Sequence, residues 1–152
     1  SAALVEPAVV GSHVLVPSDG GIVYGLSLAD GTAAYGVRCT GRCITSIAAT
    51  KTDFAVVDEG GVLRVHRADN GQAMKEIALT SRAATGVVLA PFDSPRTAIV
   101  DLGGDLVAVD LTTGTARFSV PTGAGNRIAP VLTGGIVATC TTFGQLLGIV
   151  VP

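Results

Sequence analysis

The sequence contains no tryptophan, and aromatic residues make up only 4% of it. That counts against a carbohydrate-binding surface, which needs aromatic platforms. Charged residues are scarce too, at 14%, against about 25% in ordinary soluble domains. Such a composition is the reverse of intrinsic disorder, which is charge-rich and poor in apolar residues. The formal net charge is −2, so the overall basic footprint of a nucleic-acid-binding protein is missing. Three cysteines are too few for a disulfide scaffold. Cys39 and Cys43 form one pair with no second pair to complete the four ligands of a zinc site; two reduced thiols are expected there, with a local disulfide as the alternative. The longest apolar stretches, such as residues 136–140 and 146–151, are strand-length, whereas a membrane helix needs about 20 apolar residues.

Catalytic signatures are missing as well. There is no Gly-x-Ser-x-Gly elbow, no His-Glu-x-x-His and no paired-carboxylate constellation. Residues 123–127 are Gly-rich but precede a strand pattern and lack the Lys-Ser/Thr of a phosphate loop. Asp105 and Asp110 lie on one regular strand pattern. Two such acids do not build the cage of six to eight oxygens that calcium takes.

What the chain does have is apolar residues, at 48%, and 20 glycines. The glycines are periodic. A short apolar run leads into Ser18-Asp19-Gly20-Gly21, then Asp58-Glu59-Gly60-Gly61, then Asp101-Leu102-Gly103-Gly104. A degenerate fourth copy ends Thr142-Phe143-Gly144, and the spacings are 40, 43 and 40 residues. A second turn follows each of the first three at a constant offset of 10: Asp30-Gly31, Asn70-Gly71 and Thr113-Gly114. Val, Ile, Leu and Thr dominate between the turns, which reads as β-hairpins. Four antiparallel strands in about 40–45 residues are the unit of a β-propeller. The expected fold is therefore all-β, with blades at residues 6–43, 44–84, 85–127 and a partial fourth at 128–152.

The stretch Gly104-Asp105-Leu106-Val107-Ala108-Val109-Asp110-Leu111-Thr112-Thr113-Gly114-Thr115-Ala116-Arg117-Phe118 resembles the repeat of PQQ-like (quinoprotein-type) β-propellers. That repeat carries Ala-x-Asp, Thr-Gly, and a Trp four residues after the Gly. Tyr35 and Phe118 stand at the Trp position, and Lys75 stands there in the second unit. The resemblance implies a propeller whose ring of docking tryptophans is replaced by smaller rings. The quinoprotein enzymes hold their cofactor with a stacked Trp and a calcium-bound set of Asp, Asn and Glu. No residue here matches those positions, so the resemblance points to the non-catalytic branch and to no cofactor.

Propeller connectivity places the turns between second and third strands on the same rim as the blade-to-blade loops. The turns carry Asp19, Asp58, Glu59 and Asp101, and the loops carry Arg38, Arg42, Arg82 and Arg127. This acid-and-base ring is a candidate binding face for a protein partner. The plainer alternative is that the acids cap their own turns and pair with neighbouring arginines. Arg64 and His66 share one face of a strand by period-2 alternation and are expected to form a hydrogen-bonding patch between blades. The chain therefore reads as a non-catalytic interaction or scaffold module. The competing reading is part of an enzyme, either a quinoprotein-type dehydrogenase or a propeller appended to an acyl-activating enzyme.

The strand count leaves the ring incomplete, and uncovered blade faces are apolar patches. Three arrangements resolve this. The chain forms part of a larger propeller, or a second copy completes the ring, or residues 2–5 supply the last outer strand and close a small ring.

Overall fold

The computed structural model describes residues 5–43, 45–80, 86–90, 96–123 and 129–150. Among them every regular element is a strand, and every pairing is antiparallel. Blade 1 is β1 (Ala8–Val10), β2 (His13–Pro17), β3 (Ile22–Ser27) and β4 (Ala33–Arg38). Blade 2 is β5 (Ala48–Ala49), β6 (Asp53–Val57), β7 (Val62–Arg67) and β8 (Ala73–Ala78). Blade 3 is β9 (Gly86–Ala90), β10 (Thr97–Asp101), β11 (Asp105–Asp110) and β12 (Ala116–Pro121). Blade 4 has β13 (Val131–Thr133), β14 (Ile136–Cys140) and β15 (Leu146–Val150). Strand order in each sheet follows chain order. Of residues 2–5, expected as a closing strand, 2–4 lie outside the described residues and Val5 belongs to no strand.

The repeating turns have a local cause. In blades 1, 2 and 4 the N–H groups of Ser18, Asp58 and Thr141 donate to the carbonyl four residues on, at 2.8, 3.2 and 2.9 Å. Their side-chain oxygens accept from the N–H of that same residue. Gly21, Gly61 and Gly144 then adopt φ of 72°, 74° and 80°, a conformation that costs glycine little. Blade 3 differs. Its hairpin closes from the Leu102 N–H to the Asp105 carbonyl at 2.9 Å, one residue tighter. Asp101 consequently ends strand β10 and is not the register equivalent of Asp58.

Three apolar layers join the blades. Val10, Leu15 and Val23 of blade 1 meet Phe54 and Val56 of blade 2. Ala55, Val57, Leu63 and Val65 meet Leu89, Ala98, Val100 and Val109 of blade 3. Ile99, Leu106 and Ala108 meet Val137 of blade 4. The inner strands β1, β5, β9 and β13 lie side by side in that order. All of β6, β9 and β10 is buried because these strands are covered on both faces. In β3 of blade 1 and in β14 and β15 of blade 4 burial alternates with period 2, as in a sheet covered on one side. The far faces stay open: Val9 is 68% exposed, Val131 57% and Leu146 77%.

Aromatic rings lock two of the three junctions. Tyr35 pairs with Gly25 across blade 1, and its ring lies where a Gly25 side chain would otherwise stand. Its hydroxyl donates to the Ala68 carbonyl of blade 2 at 2.5 Å. Phe118 pairs with Ala108 and packs on the layer between blades 3 and 4. The corresponding pair of blade 2 is Val65 with Lys75. There a cavity of about 140 Å³ is lined by Val65, Met74, Lys75, Leu111 and Thr112.

Candidate functional site

The loop at residues 39–43 crosses from blade 1 to blade 2 and is held from both sides. On the blade 1 side the Cys39 N–H donates to the Gly21 carbonyl at 2.8 Å. On the blade 2 side the Thr40 N–H donates to Asp58 Oδ2 at 2.8 Å. The Arg42 N–H donates to Glu59 Oε2 at 3.0 Å, and Arg42 Nε donates to Glu59 Oε1 at 2.8 Å. The Glu59 N–H returns a bond to the Arg42 carbonyl at 2.9 Å. Bidentate recognition of this kind fixes orientation as well as position.

Beneath the loop lies a buried ion pair. Asp58 is fully buried, and Arg64 Nε on β7 donates to its Oδ2 at 2.9 Å. Arg64 Nη2 donates to Thr40 Oγ1 at 2.9 Å, and Nη1 donates to Glu76 on β8. Burial alone would raise the Asp58 pKa. The Thr40 N–H, the Arg64 guanidinium and the Val62 N–H outweigh it and hold the carboxyl below its ordinary value. Arg64 is pushed the opposite way, its pairing with Asp58 and Glu76 outweighing burial. The Arg42 N–H and guanidinium lower Glu59, while Glu59, with a smaller contribution from Asp19, raises Arg42.

Other polar groups sit nearby. Burial lowers the His66 pKa against the bond from its ring to the Gly71 carbonyl, so the ring is neutral near pH 7. His66 stacks on Phe54 with ring centroids 5.5 Å apart. The Cys39 and Cys43 sulfurs lie 3.0 Å apart as free, buried thiols that share a hydrogen bond. That contact holds Cys39 below the ordinary thiol range; the same contact, with burial, pushes Cys43 above it.

The eight rim residues expected from the sequence therefore separate. Asp19, Arg42 and Glu59 stand together, exposed, on one rim. Asp58 turns inward. Asp101 is buried and accepts the Gly103 N–H at 2.9 Å, the turn-capping role. Arg38 ends strand β4, exposed, and does not sit in the loop where the sequence pattern put it. Arg82 and Arg127 lie outside the described residues. Arg64 and His66 do share a face, and it is turned toward blade 1. Sequence reasoning missed the Arg64–Asp58 pair. Its signal was an arginine between two apolar residues of a strand, Leu63 and Val65, a few positions after an Asp-initiated turn.

Among the described residues no group of three or more His, Cys, Asp or Glu is arranged to hold a metal ion. No described helix is long and apolar enough to cross a membrane. Two inter-blade cavities among the described residues are each about 140 Å³, below the roughly 300–1,000 Å³ of small-molecule sites. One is the space beside Lys75. The other lies between Val10, His13, Lys51, Arg67 and Asp69.

Radially stacked antiparallel sheets of this order define a β-propeller fold, with three four-stranded blades and a three-stranded fourth among the described residues. The solved structures agree. The chain is similar over its whole length to 99% of the computationally designed Ika4 protein, with 13% identity and a TM-score of 0.82. It is similar over 95% of its length to 45% of the designed Ika8 protein, with 14% identity and a TM-score of 0.80. BamB from Moraxella catarrhalis matches 92% of the chain over 43% of its own length, with 17% identity and a TM-score of 0.69. The chain thus spans nearly all of Ika4 and under half of Ika8 and BamB. No family model and no curated protein matches the sequence.

Proposed function

We propose that this chain is a non-catalytic propeller module of the PQQ-like repeat type, and that it binds a protein partner through the rim formed by Asp19, Arg42 and Glu59. One observation carries the reading. The loop at residues 39–43 is clamped by Glu59 from outside and by the buried Asp58–Arg64 pair from below. A preclamped loop loses little entropy on binding, which is how a rigid scaffold converts contacts into affinity. Alternating charge on such a rim contributes specificity and association rate more than raw affinity. The repeat assignment is supported by the ring–small-residue pairs Tyr35–Gly25 and Phe118–Ala108 at the position the family gives to its docking Trp.

The test is immobilised wild-type chain against extract of its source cells, with each captured protein then produced pure and titrated. A single partner should bind wild type and the opposite-rim variant Gln72→Lys equally. Arg42→Glu, which leaves Asp58 and Arg64 intact, should weaken it at least tenfold. A partner indifferent to Arg42→Glu removes the rim from the reading. Turnover of a small-molecule substrate by the isolated chain removes the non-catalytic assignment.

A further inference from the structure

The two uncovered blade faces have the make-up of a junction already present inside the molecule. Blade 2 presents Ala55, Val57, Leu63 and Val65 to blade 3, which answers with Ala98, Val100, Val109 and Leu111. In blade 4 the same register positions, on the face turned away from blade 3, are Ala138 paired with Gly148 and Cys140 paired with Leu146. These match Ala55 paired with Val65 and Val57 paired with Leu63. In blade 1 the face turned away from blade 2 holds Val14 paired with Leu26 and Val16 paired with Tyr24. These match Ala98 paired with Val109 and Val100 paired with Val107 in blade 3. Leu28 repeats Leu111: the N–H of each donates to the carbonyl of the residue just before its second strand, Ser12 and Arg96. None of these open positions is charged. Inside the molecule this set is buried apart from the half-buried Val107, whereas at the ends Leu28 is 52% exposed and Leu146 77%.

We propose that a second copy of this chain covers both faces, blade 4 of each copy seating on blade 1 of the other, so that two copies close one ring. The length of the arc favours this occupant. The chain accounts for 45% of Ika8 at a TM-score of 0.80, so the arc left open is close to one further copy. The faces are of opposite kind, one trailing and one leading, so each fits the other and not itself. Two such junctions related by a two-fold axis close the assembly and leave no open blade. This surface is separate from the rim and does not depend on it.

Sedimentation equilibrium on the purified 152-residue chain reads the result directly. The expected mass is twice 15.1 kDa, unchanged by Arg42→Glu. Val9→Lys, on the blade 1 face, and Val131→Asp, on the blade 4 face, should each give the single mass with an unaltered circular dichroism spectrum. Mixed in equal amounts they should return to the doubled mass, because one junction is then wild type and the other pairs Lys with Asp. If one variant fails to fold, the other tests the same contact from the opposite side. A wild-type chain at the single mass, or masses that grow without limit as concentration rises, overturns the proposal. So does a doubled mass that survives both substitutions.

Discussion

Asp58 does three things with one carboxylate. It caps its own turn through the Val62 N–H at 3.0 Å, holds the blade-to-blade loop through the Thr40 N–H, and neutralises Arg64 inside the sheet. Ser18 and Thr141 repeat only the first of these in blades 1 and 4. Asp58→Asn keeps an acceptor for the turn and removes the charge opposite Arg64. Breaking a buried pair costs about 3–5 kcal/mol, and with Glu76 and Thr40 still on the guanidinium the lower end, about 3 kcal/mol, is expected at pH 7. The folded-state pKa of Asp58 is lowered, so its contribution is fully present above the ordinary carboxylate value near pH 4. It is lost as pH falls through the lowered folded value. Denaturant titrations of wild type and Asp58→Asn should therefore differ most at neutral pH and converge in acid. A constant difference across that range would show that the loss is one of shape and not of charge.

Each four-stranded blade ends in a strand that can carry a ring into the next blade, and blade 2 is the one that does not. Lys75 stands opposite Val65 where Tyr35 stands opposite Gly25, and the space that a ring would occupy is about 140 Å³. Replacing Val65→Gly and Lys75→Tyr together should fill it. A strand glycine costs about 0.5–1 kcal/mol, and the buried Val65 side chain that it removes costs about 1.5 kcal/mol more. A ring that buries the low end of its usual 150–250 Å² returns about 4 kcal/mol at 25 cal/mol per Å². A net gain of about 1 kcal/mol in denaturant unfolding is expected, and a destabilised double variant would show that the space is not a docking slot. Conversely, Tyr35→Phe should lose about 1 kcal/mol with its bond to Ala68. These positions were legible in the sequence because the second-turn Gly plus four residues is a local count, as were the turns, whose geometry Gly and a capping oxygen set by themselves. The difference between Asp58 and Asp101 was not. Gly spacing hides the tighter hairpin of blade 3, which moves Asp101 from turn to strand. Nor was the Arg64–Asp58 pair, which depends on a strand residue folding back beneath its own turn. Arg38 was misplaced for a related reason: β4 runs on to the end of the blade, beyond the point where its apolar pattern stops.

Across the whole molecule, stability should be graded from the middle outward. Strands β6, β9 and β10 are buried at every position, and β10 has a paired strand on each side. Strand β15 alternates exposed and half-buried residues and pairs only with β14 among the described residues. Local opening is easiest where few apolar contacts are lost and backbone bonds already face solvent. In dilute solution, amide hydrogen exchange should therefore be slowest in β6 and β10 and fastest in β13 and β15, with β2 and β3 between. Concentration adds a second axis. Binding that is specific to the folded state raises apparent stability with the concentration of the partner. If a second copy covers the open faces, raising protein concentration slows exchange in blades 1 and 4 while blades 2 and 3, already covered on both sides, change least. A closed single chain would show no concentration dependence. A chain whose open faces merely aggregate would lose the blade-by-blade pattern as it slowed. The gradient and its response to concentration thus separate the architecture of the blades from the manner in which the ring is completed.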